Sequence, residues 1–298
     1  MMSEPIGLDG GILIGAESTY GVEATTKVAI HATSATLGVR RGARRRRQRL
    51  TYRTPTVSMA PVYVDGEIVA GMTDNDNVLG VLFGAWGAAT DDAVAHTKTY
   101  AVGTSTPDNP SLTVAVNHGG GHEWTYTGLV PSSLTMEFTP EDASVTAAFV
   151  GKAGAKEATA STITRPSENL ILSPADYGSL FVSAAAYDFN SFRVQFQVPT
   201  DMAGQDSVSA STIRRAFWSG SVAITGTIEL DLTDDSSMDS ITLLAVYLAT
   251  GILGDISLGN LLTLSGCRMI GDPPALESGV QKVAINFEAE GCDVVLSY

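Results

Sequence analysis

The sequence predicts a mainly β chain made of two tandem sandwich units, each flanked by one short helix. Three observations carry that reading: period-2 alternation of apolar with polar residues, turn signals between the alternating stretches, and a repeated order of segments in the two halves. Alternation with β-branched and aromatic residues is plainest in Val62-Tyr63-Val64, Leu112 to Val116, Leu134 to Phe138, Phe192 to Val198 and Val222 to Leu232. Each is read as a strand with one buried face, because successive strand side chains point to opposite sides of a sheet.

Asp65-Gly66, Pro107 to Pro110, Gly119-Gly120-Gly121 and Gly271-Asp272-Pro273-Pro274 are read as turns and loops, since Gly supplies positive φ and Pro removes a ladder donor. Two compact apolar segments, Asn77 to Ala88 and Ser240 to Thr250, follow Asp, Asn or Ser residues able to cap a helix. Gly251 stands where a left-handed C-terminal cap is wanted, whereas Gly80, Gly84 and Gly87 weaken the first helix.

The halves repeat in order. Gly66-Glu67-Ile68 before an acidic cap and helix matches Gly226-Thr227-Ile228, offset by 160. Leu112-Thr113-Val114 matches Leu262-Thr263-Leu264, and Leu134 to Glu141 matches Val283 to Glu290, at offsets of 150 and 149. The expected organisation is an N-terminal arm over 1–26, a first unit over 27–155, a linker over 156–176 and a second unit over 177–298. The stretch Gly151 to Asn169 is small and polar and lacks an apolar stripe, as a boundary requires.

Charged residues make up 17% of the chain, below the roughly 25% of ordinary soluble domains, which implies broad contact with other subunits. The net charge of −14 hides a sharp asymmetry: eight of the 18 basic residues lie between Arg40 and Arg53, where no Asp or Glu occurs. Ten basic and 32 acidic residues remain elsewhere, so the bulk of the molecule repels nucleic acid. Met1 to Gly15 does not read as a secretory signal. The apolar run Ile241 to Leu253 is shorter than the roughly 20 residues that span a bilayer, so no membrane partner is expected. Cys267 and Cys292 have no CxxC spacing and are read as buried free thiols.

The segment Ile14 to Thr25, with Glu17, Ser18, Thr19, Tyr20 and Gly21, resembles the opening of siphophage major tail tube proteins. Gly128 to Phe138 with Val145 to Lys152, and Asn190 to Phe196 with Gly220 to Leu232, are similar to later strand pairs of that family, so the resemblance spans most of the chain. It implies tail-tube-like β-sandwich units whose sheets join across subunits to line a hollow tube in the virion tail, assembled in the host cytoplasm. Single-unit members form sixfold rings, so a duplicated chain implies a trimeric, pseudo-hexameric ring stacked head to tail, with a hexamer as the alternative. The implied partners are other copies, the tape measure protein and tail tip or terminator proteins, with viral DNA passing through without specific binding.

The family pattern departs at the basic run, where an ordinary first hairpin is expected. Arg40, Arg41, Arg44, Arg45, Arg46, Arg47 and Arg49 are read as inter-ring contacts, since guanidinium forks suit carboxylates at interfaces; nucleic acid or a solvated loop are the other readings. His118-Gly119-Gly120-Gly121-His122 is read as a glycine-rich hairpin loop, because there is no G-x-S-x-G nucleophile and three glycines disrupt a zinc-binding helix. Asp74 to Asn77 and Asp231 to Asp239 are oxygen-rich but are read as helix caps rather than calcium loops. Trp86, Trp124 and Trp218 are read as core or interface residues rather than a sugar platform. No catalytic residue, metal or cofactor is expected; the competing readings are a carbohydrate-binding adhesive virion module, a tail terminator ring and a hydrolase.

Overall fold

The computed structural model describes residues 10–46, 56–108, 110–164, 170–171, 174–203, 213–231, 249–270 and 282–298, and for 42–46, 56–60 and 174–175 the backbone only. In chain order the strands are β1 (Gly11–Ala16), β2 (Val28–Ile30), β3 (Ala32–Ala35), β4 (Gly38–Arg46) and β5 (Thr56–Gly71), followed by helix α1 (Asp76–Gly84). Next come β6 (Ala89–Asp92), β7 (Thr97–Val102), β8 (Leu112–Asn117), β9 (Glu123–Phe138), β10 (Ala143–Gly151) and β11 (Ala153–Lys156). The four-residue α2 (Pro174–Tyr177) precedes β12 (Leu180–Val182), β13 (Ala185–Tyr187), β14 (Ser191–Gln197), β15 (Thr200–Ala203), β16 (Arg215–Trp218) and β17 (Ala223–Asp231). The chain ends in β18 (Ile252–Leu258), β19 (Leu262–Met269), β20 (Lys282–Ala289) and β21 (Gly291–Ser297). The mainly β class is thus what the alternation predicts.

One antiparallel sheet runs through both halves in the order β4, β5, β10, β9, β14, β17, β20. The alternation explains its inner face: Ile68, Ala147, Leu134, Met136, Val194, Phe196, Ile228 and Ile285 are all buried in one continuous core. Phe138, Phe192 and Phe287 stack beneath it, with ring centroids 6.1 and 6.3 Å apart. Outer strands close the sandwich. β9 leaves the main sheet near Gly128, φ +66°, and its first half pairs with β8 and β11, while β8 also pairs with β1. A second outer group joins β7, β21, β19, β18 and β12.

Helix α1 starts where its cap predicts: the Asn75 side chain accepts from Asn77 N at 2.7 Å. It ends at Gly84, four residues short of the expected Ala88. Buried Asp76 in its first turn accepts from Tyr100 Oη at 2.5 Å and from Lys98 Nζ at 2.7 Å, fixing the helix to β7. Of the second predicted helix, 240–248 lie outside the described residues; Ala249 and Thr250 are helical and Gly251 has the left-handed φ of +68° that a C-cap needs.

Asp65-Gly66 is not a turn. Both residues lie inside β5, with Gly66 opposite Phe149. Glycine is required there by a close approach: a Cβ would sit 2.6 Å from Leu37 Cα and from the Thr36 carbonyl oxygen.

The strand registers repeat along the chain. Gly66 faces Phe149 on β10 as Gly226 faces Phe287 on β20, and Ile68 faces Ala147 as Ile228 faces Ile285. Thr127 and Ala153 pair between β9 and β11 as Ser265 and Gly291 pair between β19 and β21, a constant offset of 138. Ile12 pairs with Ile30 as Leu180 pairs with Tyr187. The first sequence match, at offset 160, coincides with this register. The other two fall one strand away, because the register sets Val114 against Ile256 on β18, and β10 against β20.

At Gly226 an added Cβ would meet Phe287 Cζ at 2.3 Å and the Arg193 carbonyl oxygen at 2.7 Å. Gly226→Ala is expected to cost about 1–3 kcal/mol by overpacking, read as a lower urea midpoint at unchanged slope.

Candidate assembly surfaces

The outer face of the continuous sheet carries the complement of the buried pattern. Side chains at Ser133, Thr135 and Glu137 on β9, Thr146 and Ala148 on β10, and Arg193, Gln195 and Gln197 on β14 are partly or fully exposed. β17 continues it with Thr225, Thr227, Glu229 and Asp231, and β20 with Asn286 and Glu288. The register aligns these into rows across both halves, such as Thr146, Thr135, Gln195, Thr225 and Glu288. Asp65, Glu67, Glu137, Glu229, Asp231 and Glu288 stand on this face with Arg40, Arg193 and Lys282. It is therefore flat, hydroxyl- and amide-rich and acidic in balance. No single residue in it carries a sequence signal; only the register assembles it.

The glutamate, tyrosine and glycine of the opening signature form a clamp. Glu17 is buried, and its Oε1 accepts from Thr113 Oγ1 at 3.0 Å and Gly128 N at 2.7 Å, while Oε2 accepts from Gly21 N at 2.7 Å. Thr113 Oγ1 in turn accepts from Ala24 N at 3.0 Å. Tyr20 Oη accepts from Ala216 N at 2.6 Å, and the Arg215 guanidinium lies 5.5 Å from its ring centroid. Burial pushes the Tyr20 hydroxyl pKa upward. The N-terminal segment is thereby pinned to the corner of β9 and to β16 in the second half.

The described part of the basic run, Arg40 to Arg46, lies on β4, which pairs with β5. Arg40 Nε pairs with Asp65 Oδ1 at 2.5 Å and Arg41 is exposed. Arg44, Arg45 and Arg46 are in β4, whereas Arg47, Arg49 and Arg53 lie outside the described residues. β15 and β16 form a hairpin beside β5, with Ile213 N donating to Val62 O at 3.0 Å. That hairpin carries no sequence signal, its strands being four residues long.

The remaining candidates resolve locally. His118 to His122 form the β8–β9 turn, with His118 N donating to His122 O at 2.9 Å and positive φ at Gly119, Gly120 and Gly121. Trp86 is buried with its ring 5.6 Å from that of Trp218, and Trp124 is partly buried against the same core. Of the oxygen-rich stretch from Asp231, 232–239 lie outside the described residues. Among the described residues no cluster of His, Cys, Asp or Glu could hold a metal ion, and no helix is long and apolar enough to cross a membrane.

The chain is thus a mainly β protein with a long exposed polar face on one continuous sheet and an arginine-bearing strand, β4, at its border. The family model for phage tail tube proteins matches residues 7–291, and the chain belongs to that family. It is a structural protein of the phage virion tail, and its family assembles into a tube in association with other tail proteins. No curated protein sequence matches the chain.

Glu17→Ala removes the acceptor of two backbone N–H groups and a hydroxyl, each costing about 1–3 kcal/mol when left unpaired. A loss of about 3 kcal/mol is expected in denaturant unfolding. Cys267 and Cys292 are buried free thiols, and desolvation raises Cys267 to about 12 and Cys292 above its ordinary value. Both are then protonated at pH 8, so neither is expected to react with a thiol reagent until the protein unfolds.

Proposed function

We propose that copies of this chain form trimeric rings of six sandwich units, stacked head to tail into the channel through which viral DNA leaves the virion. The observation that carries the reading is the polar face spanning both halves on one unbroken sheet. Turned inward, it presents hydroxyls, amides and carboxylates to the phosphate backbone and few cations whose phosphate contacts would release counterions and hold DNA. The division into units over 27–155 and 177–298 with a linker over 156–176 is part of this proposal, supported by the repeated registers, which also match β1, inside the segment 1–26 read as an arm, with β12 of the second unit.

The arginines from Arg40 to Arg49 take the role of inter-ring contacts. Arg40, Arg41, Arg44, Arg45 and Arg46 lie on β4, which pairs with β5 at the border of the main sheet. Carboxylates on the next ring are their natural partners. Tape measure and tail tip or terminator proteins complete the assembly, which forms in the host cytoplasm.

Negative-stain microscopy of the concentrated protein, with averaging of end-on views, tests the ring. Hollow tubes of threefold character are expected; sixfold rings overturn the trimer, and closed oligomers that never stack favour a terminator or adhesive module. Glu137→Lys combined with Glu229→Lys tests the lumen. Tubes of this variant are expected to retain double-stranded DNA at about 50 mM salt and release it at about 200 mM, while unaltered tubes retain none.

A further inference from the structure

We infer that the tip of the β6–β7 hairpin in one copy plugs an apolar hollow beside β16 in a copy of the next ring. The inference rests on the tube reading and adds an axial joint that the arginine run does not supply. The tip is a preformed knob. Val94 is 93% exposed, and its N–H and that of Ala95 donate to Asp92 Oδ1 at 3.0 and 3.1 Å. Tyr298 holds the turn from below: its N donates to His96 O at 3.0 Å and its hydroxyl to Asp91 Oδ1 at 2.5 Å. A turn fixed in this way presents a valine beside two carboxylates with little left to order on binding.

The hollow measures about 220 Å³ and is lined by Pro107, Pro110, Val130, Phe217 and Trp218, with Arg215 among them. Phe217 is 38% exposed there, one of the few large apolar side chains left open to solvent. Arg214 and Arg215 are both exposed, and no ion pair engages Arg215 among the described residues. The nearby carboxylate of Asp108 is taken up by the Ala89 N–H at 2.7 Å.

Knob and hollow lie toward opposite ends of the main sheet. Ser297 pairs with Thr97 and donates its N–H to Asp74 O, so the knob stands where β5 ends, level with the β9–β10 turn. Val130 lies eight residues back along β9 from Phe138, about 26 Å at the rise of a strand. The two ends also differ in charge. Asp74, Asp91, Asp92, Glu141, Asp142 and Asp176 are exposed at the knob end, where Lys98 is tied to Asp76. Arg214, Arg215 and the arginines of β4 lie toward the other end.

The occupant of the hollow is therefore a second copy, because head-to-tail stacking brings acid to arginine and the apolar knob to the apolar hollow at once. A contact between two different surfaces of one chain is heterologous and propagates without limit unless it closes. The β6–β7 hairpin has no counterpart in the second half among the described residues, so each chain supplies one knob.

The test is cross-linking of the full-length Ala95→Cys/Pro110→Cys chain with a short bismaleimide, at concentrations that give sedimentable polymer. These positions flank the knob and the hollow without removing Val94, Phe217 or Arg215, and the buried Cys267 and Cys292 do not compete. The expected result on denaturing gels is a ladder that runs well past three chains and is absent from either single variant. A ladder that stops at three places the contact within a ring and overturns the axial joint. Polymer without a ladder overturns the joint and leaves the tube reading standing. In an otherwise native chain, Val94→Arg sets cation against cation without touching the core, and is expected to raise the concentration at which polymer sediments by about tenfold. Unchanged polymerisation of that variant overturns the joint, whereas a native chain that never polymerises overturns the tube reading with it.

Discussion

The pairing of β9 with β14 is the constraint on which the rest of the molecule depends. It joins the strands of both halves into one sheet over one main core, and the rings of Phe138, Phe192 and Phe287 stack directly beneath it. Each ring sits on a different strand and two of the three come from the second half, so neither half closes this row alone. Buried aromatic side chains contribute about 3–5 kcal/mol each against truncation, a large fraction of a domain's net stability. Because the joint holds the register, it also decides which side chains share the exposed face. A slip of one residue at β14 would bring Phe192, Val194 and Phe196 onto the surface and bury Arg193.

The outer layer packs Ile12, Ile14, Leu112 and Val114 into the core and is locked in addition by polar groups. Glu17 sits where three donors converge at the corner of β9, and Gly128 lets the chain turn there because a Cβ would sit 2.9 Å from the Tyr20 ring. Tyr20 then reaches across to Ala216. A second buried carboxylate works the same way: Glu123 accepts from Ser161 N at 2.8 Å and Ser161 Oγ at 2.9 Å, tying down the chain beyond β11. Buried carboxylates are costly unless hydrogen-bonded, so these two specify where loose segments must lie.

Much of the fold is legible in the residues themselves. Alternation locates β8, β14 and β17 closely, and the Asn75 cap and Gly251 mark helix ends, because these are local properties of spacing and backbone freedom. Register is not local. Gly66 reads as a turn next to Asp65, yet it serves a close strand crossing that only the fold creates. The repeat is visible at Gly66 and Gly226, where a glycine is demanded twice, but downstream it slides by a strand. Leu-Thr-Val and Leu-Thr-Leu are interchangeable as patterns, and among the described residues the β6–β7 hairpin has no counterpart in the second half to signal the shift. The opening signature, by contrast, is legible because its residues meet buried polar demands that few others satisfy.

The polar face and the arginine-bearing strand are two answers to one electrostatic problem. In the tube proposed above, the wall that faces a polyanion must not bind it, while stacked rings must bind one another. Dense acid on the inner wall would repel DNA yet also repel neighbouring carboxylates on the same sheet, destabilising it. Here Glu137 stands opposite Arg193 and Asp231 opposite Lys282, while threonines, serines and amides fill the rows between. Charge is thereby spread thinly over the polar face, whereas Arg40, Arg41, Arg44, Arg45 and Arg46 all lie on β4. Arg40 already pairs with Asp65 on β5, so the arginine run begins at the border between the two surfaces. The same strand, β4, thus borders the polar face at Arg40 and continues through Arg44, Arg45 and Arg46, so the two surfaces meet on one strand.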